Sequence, residues 1–203
     1  TITFGVMKIL NVAHGSFYAW GAYLASISII FLGDNEYNSI LYYFAIFLSA
    51  IIVGLFFGFI IEKFILRKMY AEDIHLIVLA TFGIFWILED LILIVFGVDP
   101  LMPYYPAMEL GGLEIVGVYQ GVYSLTLSAL AAIVAFICWY FLNKTKWGKL
   151  LQSVIFDREI SVSMGINVTS VYLVTFIIGG MLGALGGAYV APTISVSPGF
   201  AID

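Results

Sequence analysis

The sequence predicts an all-α integral membrane protein, a polytopic helical bundle with about five spanning helices and a broken helix near the N-terminus. Hydrophobic residues make up 63% of the 203 residues, charged residues make up 10%, and the mean hydropathy is +1.08. A soluble domain carries about 25% charged residues. Several apolar runs are long enough to cross about 30 Å of hydrocarbon. These runs do not alternate polar and apolar residues as barrel strands do, so helices are favoured.

Five runs approach the length of about 20 residues that a spanning helix needs at about 1.5 Å per residue. We place them at residues 16–32, 38–61, 75–96, 119–142 and 170–190.

The basic residues predict how these helices are oriented, because lysine and arginine stay on the cytoplasmic side during insertion. They cluster in two connections, 62–74 and 143–169, so we expect both to be cytoplasmic. The remaining connections, including the loop of residues 97–118, are then external. In that loop Gly111 and Gly112 indicate a small hairpin, which is either a solvated cap or a docking surface for an external partner.

Composition also excludes several classes of function. No basic patch suggests a nucleic-acid partner, Cys138 is the single cysteine, and no spacing of ligands predicts a metal site. No G-x-x-x-x-G-K-[ST] motif is present, so we expect ATP to bind elsewhere. The chain begins at Thr1 and ends in "PGFAID". We expect an internal piece of a longer protein, forming a single transmembrane domain over residues 1–203.

The stretch "LNVAHGSFYAW" places polar, helix-weakening residues in an apolar run. Unpaired polar groups are costly in lipid, and non-helical backbone at membrane depth must be buried in protein or line a cavity. We therefore predict a translocation path lined partly by Asn11, His14, Gly15 and Ser16. Gly15 would allow the interruption, and Ser16 would cap the helix that follows. A lone membrane histidine that bonds a neighbouring carbonyl is the simpler interpretation of His14.

Glu89 is a second candidate for the path. It lies about 14 residues into the third run, roughly 21 Å from its cytoplasmic end, in the outer half of the membrane. A carboxylate at that depth should face protein or a water-filled cavity. Either Glu89 belongs to the path, or it is a polar anchor near the outer interface. The adjacent Asp90 points roughly 100° away on the helix.

The cytoplasmic loop contains a short helix of its own. Asp157 is its predicted N-cap, Glu159 adds negative charge to its first turn, and Gly165 ends it after about two turns. Asn167 or Thr169 would cap the fifth spanning helix. The short helix would expose Ile160, Val162 and Met164, as either a surface-lying amphipathic helix or a coupling helix that fits a groove on a soluble partner.

Small residues recur along the fifth run. Gly179, Gly183 and Gly187 lie four residues apart and make a smooth face for close helix packing. Packing inside one subunit is favoured over a subunit interface. Gly54 and Gly58 form a smaller version of the same face.

Three segments resemble branched-chain amino acid ABC transporter permeases, and they lie in order across the whole chain. They are "FGVMKILNVAHGSFYAWGAYLA", "TFGIFWILEDLILIVFGVDP" and "FDREISVSMGINVTSVYLVTFIIGGMLGALGGAYVAP". The first is the most specific, and it is similar to the paralogue whose signature reads F-G-V-x-x-I-x-N-x-A-H-G. Glu89 and Asp90 depart from this pattern, since glutamine or another polar residue is common there. This departure leaves the substrate class open.

The resemblance implies a multi-subunit importer in a prokaryotic inner membrane. Its expected partners are a second paralogous permease, two cytoplasmic ATPases that bind ATP and magnesium, and an external substrate-binding protein. The chain itself would be no enzyme. Urea or short amides are the alternative substrates, and a secondary transporter or channel is a further alternative. The resemblance assigns coupling to the ATPases to residues of the 156–166 region, namely Phe156, Asp157, Arg158, Glu159, Met164, Gly165 and Ile166.

Overall fold

The fold is a bundle of long helices, and two of the loops that join them, residues 97–121 and 143–169, carry short elements of their own. The computed structural model describes residues 11–34, 39–70, 72–115 and 118–199. In chain order the elements are α1 (His14–Asp34), α2 (Ser39–Ile61) followed by a π-helical turn (Glu62–Leu66) and an α-helical turn (Arg67–Met69), α3 (Ile74–Phe96), α4 (Tyr105–Leu110), β1 (Gly112–Ile115), β2 (Val118–Gly121), α5 (Val122–Lys144), α6 (Lys146–Phe156), α7 (Arg158–Ser163), α8 (Val168–Val190) and a 3₁₀ turn (Ala191–Thr193).

Five helices of the described residues are long and apolar enough to cross a membrane, which confirms the predicted class. Their bounds agree with the apolar runs to within a few residues. The predicted start of the fourth span at Tyr119 is wrong, because Tyr119 pairs with Glu114 in a β-hairpin and α5 begins only at Val122. The spans are His14–Gly33, Ile40–Met69, Ile74–Phe96, Val122–Lys144 and Val168–Thr193.

Helix α8 lies against both α1 and α2 along faces of small residues. A Cβ placed on Gly187 would lie 1.9 Å from the carbonyl oxygen of Tyr18 in α1, and one on Gly54 of α2 would lie 2.3 Å from Met181 of α8. Gly183 faces His14, and Gly179 is buried on the same helix. These close approaches are contacts within one chain, the packing that the glycine pattern favours.

Helix α5 stands apart from this bundle. Of its residues only Tyr123 is buried, and its hydroxyl donates a hydrogen bond to the carbonyl oxygen of Tyr189 at 2.8 Å. Toward the C-terminal end of α5, an apolar groove of about 200 Å³ separates α5 from α8, with Phe141, Trp147 and Ile178 among its lining residues. The fourth span is therefore attached mainly at its two ends.

The loop predicted to be external folds into α4 and the β1–β2 hairpin, which is antiparallel with Gly112 opposite Gly121. The predicted hairpin is thus confirmed, but Gly111 and Gly112 precede and begin β1 rather than forming its turn. Leu101 of the same loop pairs with Val196 in an antiparallel bridge, which ties the loop to the segment that follows α8.

Candidate translocation path and coupling loop

Helices α1 and α3 pack in parallel, and this packing locates the polar N-terminal stretch. Contacts advance along both helices together, as expected when both cross from the cytoplasmic to the external side. The three hydrogen bonds join Val12 N–H to Thr81 Oγ1 (3.3 Å), Ser16 Oγ to the Phe85 carbonyl (3.3 Å) and Trp20 Nε1 to the Leu88 carbonyl (3.0 Å).

The register gives the depth of this stretch. Thr81 lies seven residues after the start of α3 at Ile74. Val12, which bonds Thr81, therefore lies level with a point about 10 Å from the first residue of α3, measured along the helix axis. Residues 11–13 form a turn before α1 begins. Ala13 is fully buried, so the non-helical backbone at this depth is enclosed by protein on at least one side. The part of the predicted break that precedes residue 11 lies outside the described residues.

The Asn11 side chain closes this turn before α1 begins. Its Oδ1 accepts a hydrogen bond from the Ala13 N–H at 3.1 Å. The prediction that Ser16 caps the helix is wrong, because α1 already begins at His14 and Ser16 is fully buried within it. Its hydroxyl joins α1 to α3 instead. Gly15 lies in the first helical turn and does not adopt positive φ, so it does not form the interruption itself.

Four side chains along α1 and α3 carry buried polar atoms without a hydrogen-bond partner among the described residues. They are Asn11 Nδ2, His14 Nδ1, Tyr23 Oη and Glu89 Oε1. Buried polar groups in folded proteins are nearly always paired, so each such atom is a candidate for contact with water or cargo. Three of the five candidate path residues, Asn11, His14 and Glu89, are in this group.

Glu89 lies on the outer side of these contacts. It is eight residues beyond Thr81 in α3, roughly 12 Å farther along the helix. Its side chain is 6% exposed, and the backbone N–H of Gly199 donates a hydrogen bond to it. Tyr23 of α1 is close enough to interact electrostatically with the carboxylate. Glu89 is therefore enclosed by α1, α3 and the segment after α8.

The loop of residues 143–169, the predicted coupling loop, contains two helices rather than the single one predicted. Helix α6 is the unpredicted one. Thr145 Oγ1 accepts from the Gly148 N–H, and Leu151 and Val154 are buried against the bundle. The sequence contains two signals of this helix, a threonine cap and apolar residues three apart. The lysines among them make the apolar pattern hard to recognise.

Helix α7 forms as predicted. Asp157 Oδ1 accepts from the Ile160 N–H at 2.9 Å, and Gly165 has φ of +81°. The Gly165 N–H bonds the Val162 carbonyl and the Ile166 N–H bonds the Ser161 carbonyl, which together form a Schellman ending. Of the two residues proposed to cap α8, Asn167 does so, with Oδ1 accepting from the Ser170 N–H.

Four apolar side chains of this loop, at the end of α6, along α7 and just after it, point away from the bundle. Phe156 is 93% exposed and Met164 is 76% exposed, and Ile160 and Val162 are more than half exposed. Arg158 and Glu159 lie beside them on the exposed surface, and Ile166 is partly buried at the base. The loop thus presents an apolar patch with charges next to it, at the same end of the bundle as the clustered basic residues.

Sequence reasoning missed Glu62, which is fully buried at the C-terminal end of α2. Its Oε2 accepts from Arg67 Nη2 at 3.2 Å and its Oε1 accepts from the Tyr70 hydroxyl at 2.9 Å. Burial and the carboxylate of Glu62 raise the pKa of Tyr70 above its usual value, so the hydroxyl stays protonated. Nothing in the residue pattern distinguishes Glu62 from an ordinary interfacial charge beside Lys63.

Tyr70 and Arg158 meet on the ring of Tyr172 near the start of α8. The rings of Tyr70 and Tyr172 contact edge to face, with centroids 5.0 Å apart. The Arg158 guanidinium lies 5.9 Å from the Tyr172 ring centroid, within the range of a cation–π contact. Tyr172 thus contacts both the end of α2 and the first residue of α7.

The model of the family described as branched-chain amino acid transport system / permease component matches residues 1–202. BraD of Pseudomonas aeruginosa, a high-affinity branched-chain amino acid transport system permease protein, is 24% identical over 191 residues, covering 91% of this chain and 62% of that protein. LivH of Salmonella typhimurium, with the same description, is 24% identical over 197 residues, covering 92% and 62% respectively.

A shorter likeness links the chain to another permease. The nucleoside ABC transporter permease protein NupC of Lactococcus lactis is 39% identical over 66 residues, which cover 32% of this chain and 21% of that protein. No solved structure matches the chain. The chain spans less than two thirds of the length of BraD and LivH. Since the family model covers nearly every residue, the chain belongs to the family of branched-chain amino acid transport system permease components.

Proposed function

We propose that the chain is part of a membrane permease subunit of an ABC importer for branched-chain or related hydrophobic amino acids. The observation that carries this proposal is α7, a capped and Schellman-ended short helix in a chain of the permease family. It presents Ile160, Val162 and Met164 at the end of the bundle where basic residues cluster. An apolar patch of this kind fits a groove on a soluble partner.

The partners follow from this role. Two cytoplasmic ATPases would bind ATP and magnesium, a second paralogous permease would complete the pore, and an external binding protein would deliver substrate. This chain would catalyse no reaction itself. The similar proteins are named as permease proteins, which supports that division of labour.

The proposed mechanism is alternating access. Closure of the ATPases would displace α7, and because α7 is followed directly by α8, the displacement would reach the helix that packs against both α1 and α2. The parallel pair α1 and α3 would then line part of the path, with Asn11 and His14 in the inner half and Glu89 in the outer half.

The substrate class is proposed from the relatives. BraD and LivH are named for branched-chain amino acids, and their similarity extends over nine tenths of this chain. The nucleoside permease shares only a third of the chain, so nucleosides are the weaker candidate. Urea and short amides stay as alternatives from the sequence, as do a secondary transporter and a channel.

The test is coupled transport by the full-length protein assembled with the ATPases with which it co-purifies. Phe156→Asp places a charge in the exposed patch, and because Phe156 is 93% exposed it should not disturb the fold. We expect leucine uptake to be lost while ATP hydrolysis persists, and Phe156→Leu, the matched control, to transport normally. Competition by leucine, guanosine and urea then identifies the substrate class. Purification as a lone functional oligomer, or coupled uptake by Phe156→Asp, would overturn the proposal.

A further inference from the structure

Glu62 lies at the end of α2, where the helix changes from α-helical to π-helical. It is the first residue of the π-helical turn Glu62–Leu66, and its side chain is fully buried. A buried carboxylate is costly unless both oxygens are paired. Both are, one to Arg67 and one to Tyr70. The mechanism described above does not use any of these three side chains.

The ion pair and the π-helical turn depend on each other. The Arg67 N–H bonds the Glu62 carbonyl, five residues back, in the wide turn that defines a π-helix. On an α-helix only residues three or four apart share a face, so a pair five apart would separate. Loss of the wide turn would therefore pull Arg67 from Glu62 and rotate the residues that follow about the helix axis. An α-helical turn would be a second arrangement of this element, and an element with two arrangements can transmit a displacement.

The contacts continue without interruption from this turn to the coupling loop. Glu62 bonds Tyr70, Tyr70 contacts the Tyr172 ring edge to face, and Arg158 lies over the same ring. Tyr172 is 7% exposed, so it cannot move without displacing its neighbours. Arg158 is the first residue of α7 and directly follows the capping residue Asp157.

We propose that Glu62 is a positioning residue that couples α7 to the second spanning helix, through Tyr70, Tyr172 and Arg158. Movement of α7 displaces Arg158 and the Tyr172 ring, and Tyr70 carries this to the carboxylate that holds the π-helical turn. The coupling signal therefore has a route into α2 besides the direct connection of α7 to α8. This inference rests on the proposed function, because it assigns a second route to the same coupling loop.

The test measures uptake and ATP hydrolysis in the same proteoliposomes, with the full-length chain and its ATPases. Tyr70→Phe keeps the ring on Tyr172 and removes the hydrogen bond to Glu62, and Glu62→Gln removes the charge. We expect each to lower the amount transported per ATP by about tenfold, because a hydrogen bond to a charged group is lost. The double variant should lose no more than Glu62→Gln alone, since Tyr70→Phe acts on one of the two contacts that Glu62→Gln weakens.

Matched controls separate coupling from folding. Glu72→Gln changes an exposed carboxylate of the same connection, and Tyr140→Phe changes an exposed tyrosine on α5. Both should keep the wild-type ratio. A purely structural role for Glu62 would lower uptake and ATP hydrolysis together and leave their ratio unchanged, which would overturn the inference. If Glu62→Gln does not assemble with the ATPases, the ratio of uptake to ATP hydrolysis in Tyr70→Phe alone tests the inference.

The outcome for Phe156→Asp distinguishes the two proposals. If Phe156→Asp uncouples transport while Tyr70→Phe and Glu62→Gln stay coupled, the route through Glu62 is wrong and the coupling loop stands. If Phe156→Asp also stays coupled, the coupling loop itself is wrong, and the inference about Glu62 falls with it.

Discussion

Individual residues set how closely the helices approach, and the adjacent pair Gly186 and Gly187 illustrates this. Both lie in α8 next to Tyr18 of α1. A Cβ on Gly187 would collide with the Tyr18 carbonyl oxygen, whereas a Cβ on Gly186 would lie 3.6 Å from the Tyr18 ring, an ordinary contact. An added methyl group should therefore be unfavourable at Gly187 and tolerated at the neighbouring Gly186.

We expect Gly187→Ala to destabilise the protein by about 1 to 3 kcal/mol, the usual effect of overpacking a well-packed site. Gly186→Ala should leave stability unchanged or raise it slightly, because alanine favours the helix over glycine. Thermal unfolding of the two purified variants in the same detergent measures the difference. Equal transition temperatures for both would contradict the close approach of α1 and α8.

Among the elements, α7 depends most on its ends, because six residues make less than two helical turns and most of its side chains are exposed. Isolated helices this short are not stable in water. The Asp157 cap and the Gly165 ending therefore matter more here than in the spanning helices, where packing dominates.

Asp157→Ala should remove about 1 kcal/mol of local stability, the typical value of an N-cap. We expect faster hydrogen exchange at the backbone amides of residues 160–164 and unchanged exchange in α8. Asp157→Asn keeps an oxygen acceptor at the same place and should exchange like the wild type. If the alanine variant exchanges at the wild-type rate, the cap does not hold α7.

The elements also show which features a single sequence reveals. The spans and α7 were predictable, because long apolar runs and a local Asp157 to Gly165 pattern specify them. Helix α6 was missed although its threonine cap and its apolar spacing are present in the sequence, and the Ser16 cap was wrong because α1 already begins at His14. The ion pair of Glu62 with Arg67 could not be predicted, since it depends on a π-helical turn that leaves no residue pattern.

The whole molecule has a consistent direction across the bilayer. The family and the five apolar helices identify an inner-membrane protein. Helices α1, α3 and α8 run one way and α2 runs the other, since Gly54 meets Met181 whereas the later Gly58 meets the earlier Ile177. This alternation agrees with the cytoplasmic assignment of loops 62–74 and 143–169, which stays a prediction.

Cysteine labelling tests that assignment. Cys138 is first replaced by alanine in the full-length protein, and single cysteines are then placed at Met102 in the external loop and at Phe156 in the coupling loop, both well exposed. A membrane-impermeant thiol reagent should label Met102→Cys in intact cells. It should label Phe156→Cys only after permeabilisation. The reverse pattern would invert the topology and move α7 away from any cytoplasmic ATPase.

The central place of α8 has a consequence for biosynthesis. This helix fills the small-residue faces of α1 and α2, yet it is the last of the described spans to leave the ribosome. At about 5 to 20 residues per second, the 106 residues between Ile61 and Val168 take roughly 5 to 20 seconds to synthesise. During that interval the glycine faces at Gly21 and Gly54 lack their partner helix. Nascent chains stalled before α8 should therefore be preferred substrates of membrane quality-control proteases.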